Sequence, residues 1–313
     1  MNTSERNINY SYMMNQWGNI NFKKVTNFNE WFMGDFDDSY YFQDWDKVLR
    51  YHAGAGFKGI EIMIFTVPTM INCFGSMKNF KAFANERGIE KISGLFSHHI
   101  GSEDKRNHER IFALERQAVD ALADCDGVNL IIQPCGQYYG TGPLSDEGLR
   151  NAAACMNEVG RMAADKGLVA SIHNEFWCAV NKYDHEKFID LCDPRYVFYC
   201  LDTAQVSIMG IDILEFYKKY HERVQYFHVK DTTKKAASDE ERFQAGAESA
   251  DDGTRWFWEP GAGFVDFPGL WKLMKQYGHK GWIGIESDGT PNPLATMLLT
   301  KNYIDTVLDP IYC

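Results

Sequence analysis

Four short apolar runs each end in side chains able to bind a metal ion. Residues 168–175 (LVASIHNE) close on His173 and Glu175, 196–202 (YVFYCLD) on Asp202, 224–231 (VQYFHVKD) on His228, and 281–286 (GWIGIE) on Glu286. Carboxylate oxygens mixed with imidazole suit a hard or borderline divalent cation better than a thiolate-bound structural site. One such ion is expected, held by Glu175, Asp202, His228 and Glu286, with Mn²⁺ preferred and Mg²⁺, Co²⁺ or Zn²⁺ as alternatives. His173 lies two residues before Glu175, so a strand would place both on one face. One can then bind the ion while the other moves a proton. We expect Glu175 as ligand and His173 as base, and we count His173, Glu175 and Glu286 as the candidate catalytic residues. The opposite division leaves His173 as the ligand.

Further residues are candidates for holding the substrate. Glu61 lies inside an apolar run, where it points at a ligand hydroxyl or forms a core salt bridge. His98 and His99 are adjacent, so at most one faces a ligand, and His99 is taken as that one. Lys230 either pairs with Asp231 behind the metal ligands or starts a solvated loop. Trp177 belongs to a set of aromatic residues (Trp17, Tyr138, Tyr139, Trp256, Trp258) expected along a rim.

Such side chains converge only if the strands end on one side. The apolar runs at 8–17, 56–65, 89–96, 128–134, 168–175, 196–202, 224–231 and 281–286 have the length and β-branched or aromatic content of buried parallel strands. Between them, residues 45–55, 76–87, 103–124, 149–166, 184–192, 212–221, 268–277 and 293–308 repeat apolar residues at helical spacing. Eight alternating pairs predict a single (β/α)8 barrel over residues 1–313, with the site on the rim formed by the carboxyl ends of the strands. A charged segment after strand seven, about 232–260, is expected as a long insertion, solvated at first and aromatic at its end. Residues 27–44 are long for a loop and are expected as a lid or substrate wall. The Gly- and Tyr-rich stretch at 136–148 suits a rim loop that touches ligand.

A net charge of −11 argues against nucleic acid or an anionic membrane as partner, since both require a basic surface. With 45% hydrophobic residues the chain can bury a large core, and no run approaches the length of a membrane span. The N-terminus lacks the basic and apolar segments of a signal peptide, so a cytoplasmic protein is expected. Its eight cysteines form no CxxC pair and fit buried free thiols. The glycines of EPGAGFVDF (259–267) lack GxGxxG spacing and a preceding strand, so they support no dinucleotide fingerprint, and the absence of GxSxG and GxxxxGK[ST] motifs removes the commonest serine hydrolase and P-loop readings.

The stretches SIHNE (171–175), LDTAQ (201–205), FHVKD (227–231), PGAGFVDFPGLWKLMKQYG (260–278) and WIGIESD (282–288) resemble the sugar phosphate isomerase/epimerase superfamily of xylose-isomerase-like TIM barrels. The resemblance covers most of the chain and implies a divalent metal held by Glu, Asp, His and Glu at four strand ends. Asp202, His228 and Glu286 match that pattern, whereas His173-Asn174-Glu175 stands where many members have Glu, any residue, then His. It implies an enzyme that removes a proton beside the carbonyl of a sugar or keto-sugar. Elimination, as in inosose dehydratases or in the larger subunit of C-glycoside deglycosidases acting on 3-keto-glycosides, is favoured over ketose epimerisation because the two-carboxylate pattern is disturbed at His173. The implied partners are a small carbohydrate or glycoside and further subunits, a homo-oligomer or a small second chain. A reading of another class is a carbohydrate-binding scaffold subunit without chemistry.

Overall fold

The eight apolar runs fold into eight parallel strands: β1 (Ile8–Met13), β2 (Gly59–Met63), β3 (Lys91–His98), β4 (Asn129–Gln133), β5 (Val169–Ile172), β6 (Val197–Asp202), β7 (Val224–Val229) and β8 (Gly281–Ile285). The computed structural model describes residues 7–15, 42–98, 101–136, 142–243 and 255–313. Each strand pairs with its sequence neighbours, and β8 returns to β1 with Ile8 opposite Gly281 and Tyr12 opposite Ile285, which closes the barrel. Two registers slip, at Ile60/Glu61 between β2 and β3 and at Tyr199/Cys200 between β6 and β7.

Helices cover the outside, and several start where a side chain accepts from the N–H three residues on: Ser76 from Asn79, Ser145 from Gly148, Asp266 from Gly269 and Asn292 from Ala295. Each such cap is worth about 1 kcal/mol. Ser145 starts its helix at Asp146, three residues before the apolar repeat becomes visible at 149. The short helix Thr203–Ile208 is invisible to apolar spacing because all six of its residues are buried, leaving no polar face to set a period.

Two layers of apolar packing result. The larger lies between strands and helices. The smaller draws Met13, Met63, Phe96, Ile131, Cys200 and Tyr226 from six different strands, the pattern of side chains that fill a barrel interior. Tyr226 reaches across this interior to hydrogen-bond Ser11 and Ser93 through its hydroxyl, at 3.1 and 2.8 Å.

Between β7 and the helix Phe267–Gln276, the chain first makes a two-residue ladder, Asp231–Thr232 against Phe257–Trp258, antiparallel. The helical turn Asp239–Arg242 carries a capping box from Ser238 and Glu241. Trp256 and Phe257 are buried at the aromatic end of the segment, and Thr232, Ala237 and Arg242 are buried in its first part. Residues 244–254, residues 27–41 of the expected lid, and Trp17, His99, Tyr138 and Tyr139 lie outside the described residues. No helix among the described residues is long and apolar enough to cross a membrane. All eight cysteines are free; Cys73 and Cys313 are exposed and the other six buried.

Candidate metal centre

Alternation along the strands sets the site directly above the interior cluster. Glu61 precedes Met63 by two residues, Asp202 follows Cys200 by two, and His228 follows Tyr226 by two, so each shares its neighbour's inward face. His173 extends β5 by one residue, its N–H donating to the Ile132 carbonyl, and Glu286 extends β8 with its N–H on the Val229 carbonyl.

Donor atoms of His173, Asp202, His228 and Glu286 all lie within 4.8 Å of one another, and all four residues are buried. His173 Nε2 stands 3.1 Å from Asp202 Oδ2, and His228 Nδ1 3.1 Å from Glu286 Oε2. Asp202 is oriented by its own helix: Oδ1 caps Thr203–Ile208 by accepting from the N–H groups of Ala204 and Gln205, which leaves Oδ2 for the centre. The two imidazole rings lie 4.7 Å apart, and Phe96 packs edge-on against His173 at 5.4 Å.

A buried lysine completes the cluster. Lys230 Nζ lies 3.0 Å from Asp202 Oδ2, 2.7 Å from Glu286 Oε2 and 2.6 Å from Asp288 Oδ2, with the Phe257 ring 4.4 Å away. Burial opposes its charge, but Asp202, Asp288 and Glu286 together hold its pKa well above the ordinary lysine value. Burial likewise opposes ionisation of Glu286, yet Lys230 and His228 keep that carboxyl well below its usual range. The Asp288 carboxyl is pushed up to about 6 by burial and by the charge of Glu286. Burial lowers the pKa of His173, which keeps its ring neutral near pH 7. His228 goes the other way: burial is outweighed by Glu61 and Glu286, which raise it well above the usual histidine value.

These residues fit a divalent cation. Asp202, Glu286 and Asp288 surround one lysine, and Glu61 and Glu175 stand behind the two imidazoles, an acid excess that a dipositive ion would offset. His173 Nδ1 and His228 Nδ1 are buried nitrogens with no well-formed hydrogen bond, and two carboxylates with two imidazoles form a donor set for such an ion.

Several expectations need correction. At the fifth strand it is His173 that joins the four clustered donors, while Glu175 stands outside them with Oε1 3.7 Å from His173 Nδ1. Same-face alternation holds only within a strand, and β5 ends at Ile172, before the turn whose Phe176 N–H is held by Gln205 Oε1. For Glu61 the salt-bridge alternative is the one found in place of the ligand hydroxyl: both its oxygens accept from His228 Nε2, at 3.0 and 2.9 Å. Lys230 does not pair with Asp231, which turns away to accept four backbone N–H groups, those of Thr232, Gly261, Gly263 and Val265. Trp177 is buried in the core between strands and helices. Asp288 and Asn15, whose Nδ2 donates to Asp288 Oδ1 at 2.8 Å, also border the centre and are absent from the residues that the sequence singles out. The spacing of Asp288 two residues after Glu286 was the available signal.

Residues 49–300 match the family described as xylose isomerase-like TIM barrel, and the chain belongs to that family. An inosose dehydratase of Bacillus velezensis is 25% identical over 283 residues, covering 82% of this chain and 87% of that protein. Among solved structures, the IolI protein with a bound zinc atom superposes with a TM-score of 0.68 at 14% identity, covering 97% of this chain and 98% of that one. The probable 3-DHS dehydratase AsbF of Bacillus anthracis gives a TM-score of 0.70 at 9% identity, covering 95% and 99%.

Proposed function

We propose that the protein is a divalent-metal-dependent lyase that removes the proton beside the carbonyl of a keto-sugar or keto-inositol and expels a substituent from the adjacent carbon. The convergence of four buried donors within 4.8 Å carries this reading, and the similarity to inosose dehydratases supports elimination as the outcome. His173, Asp202, His228 and Glu286 would hold the ion; two imidazoles with two carboxylates suit Mn²⁺, Co²⁺ or Zn²⁺ better than Mg²⁺. When bound, the cation supplies a Lewis acid for the substrate carbonyl.

The remaining residues take the other roles. Glu175, outside the four, is the carboxylate left to accept the proton. As the C–H bond breaks, its electron pair forms the new double bond, and the C–O bond to the neighbouring hydroxyl breaks. That hydroxyl takes up a proton and leaves as water. Lys230 fixes Glu286 and Asp288 and keeps positive charge beside the centre, where negative charge develops on the substrate. On a 3-keto-glycoside the same elimination would expel the aglycone.

The test pairs metal content with product analysis. The metal-loaded protein is incubated in deuterated water with inosose, a 3-keto-glucoside and free ketoses, and products are identified by NMR. Loss of water or aglycone is expected, and Asp202→Ala or His228→Ala should remove bound metal and turnover together. An epimerised ketose as sole product would replace the lyase by an isomerase, metal uptake without any exchange would favour a binding subunit, and full turnover by metal-free protein would end the proposal.

A further inference from the structure

Glu61 is built into the barrel in a way that neither substrate binding nor core packing requires. It sits on β2, fully buried, and its side chain crosses the interior to β7, two strands beyond β1 in the closed order. Both carboxylate oxygens meet the same nitrogen, His228 Nε2. Two features of the backbone make the crossing possible. The register between β2 and β3 shifts at Ile60/Glu61, a bulge of the kind that re-aims a side chain. Opposite it on β3 is Gly94, where a Cβ would stand 2.6 Å from Ile131 Cδ1 and 3.1 Å from Glu61 Cγ. A side chain there would compete with Glu61 for its path.

We infer that Glu61 is the positioning residue of the metal centre: it holds the proton of His228 on Nε2, so that Nδ1 is the nitrogen presented to the cation. The inference rests on the metal reading above. An imidazole has two nitrogens, and the partner of one decides which is free to coordinate. A carboxylate behind a ligating histidine also raises its basicity and fixes its ring plane. Here the ring is locked on both sides, by Glu61 at Nε2 and by Phe96, Tyr226 and His173 around its faces, with centroid separations of 5.9, 6.0 and 4.7 Å. Glu61 never reaches the donor cluster itself and acts only through His228.

Two measurements test this, one of them free of metal. In the metal-free protein labelled with 15N in its histidine rings, His228 should show a proton on Nε2 that exchanges slowly and resonates far downfield. It should persist in Glu61→Gln, which keeps an acceptor oxygen, and be lost in Glu61→Leu. Zinc and manganese titrations by calorimetry should then give affinity about 10–100-fold weaker for Glu61→Leu, most of it recovered in Glu61→Gln, with circular dichroism confirming a folded barrel. Gly94→Ala, which alters neither Glu61 nor any ligand, should weaken the metal in the same sense, and it replaces Glu61→Leu if that variant does not fold. Parent-like affinity in the folded Glu61→Leu or, in its stead, in Gly94→Ala would overturn the inference, as would a parent spectrum without the Nε2 proton. A parent protein that shows this proton but takes up neither ion would instead fail the metal reading and leave the Glu61–His228 arrangement standing.

Discussion

At the scale of single residues, the proposed chemistry turns on the fifth strand. His173 is neutral near pH 7 because burial disfavours its charged form, and it faces Asp202 across the donor cluster. Glu175 stands 3.7 Å from the far nitrogen of the same ring. We therefore expect His173→Ala to purify without metal, and Glu175→Gln to keep the metal while losing about 10²- to 10⁴-fold in turnover, the usual worth of a positioned general base. Metal analysis beside steady-state kinetics checks both, and a loaded His173→Ala with an empty Glu175→Gln would restore Glu175 as ligand. Asp202, His228 and Glu286 were legible in the sequence because each ends a strand-length apolar run. The choice between His173 and Glu175 was not, since it depends on where β5 stops pairing, and the run LVASIHNE carries no mark at Ile172.

At the scale of elements, the segment after β7 is organised by one carboxylate. Asp231 accepts from four N–H groups at 2.8–3.1 Å and so folds residues 261–265 around itself. Gly263 passes so close that a Cβ would lie 2.2 Å from the Thr232 carbonyl oxygen. The same ladder places Phe257 over Lys230 and lets Trp256 stack on Phe176 at 5.1 Å, which walls one side of the centre. Asp231→Ala strands two buried donors, the N–H groups of Thr232 and Val265, each costing about 1–3 kcal/mol, and should lower unfolding free energy by roughly 2–5 kcal/mol while raising KM. Chemical denaturation measures the first, and a loss below about 1 kcal/mol would mean that water serves these amides equally well. Strand and helix periods were legible along most of the chain, yet this anchoring was not: FHVKD and PGAGFV are some thirty positions apart, and nothing in either run names the other. The bulge at Glu61 escaped for the same reason, being a property of two strands together.

At the scale of the molecule, buried titratable groups outside the metal cluster set how stability varies with pH. Burial holds the pKa values of His52, His185 and His279 down, to about 4, about 3 and about 4. Each ring is neutral in the fold and takes up a proton on unfolding below its unfolded value near 6.5. Their contribution is complete above that value and is lost as pH falls toward the folded values. Glu115, which accepts from Ser97 Oγ at 2.6 Å, is pushed up to about 8 by burial. It stays protonated in the fold, so its contribution is complete below its unfolded value near 4.5 and is lost as pH rises through about 8. Between about 4.5 and 6.5 the three histidine protons outweigh the one of Glu115, and from about 6.5 to 8 Glu115 acts alone, each proton being worth about 1.4 kcal/mol per pH unit. Stability should therefore peak near pH 7 and fall more steeply toward acid than toward alkali, with metal bound throughout so that the central cluster does not titrate. Glu115→Gln should flatten the alkaline limb and steepen the acid limb, because between about 4.5 and 6.5 Glu115 opposes the three histidines. Denaturant unfolding from pH 5 to 9 measures both slopes, and an alkaline limb that keeps its slope in Glu115→Gln would show that Glu115 is ionised inside the fold.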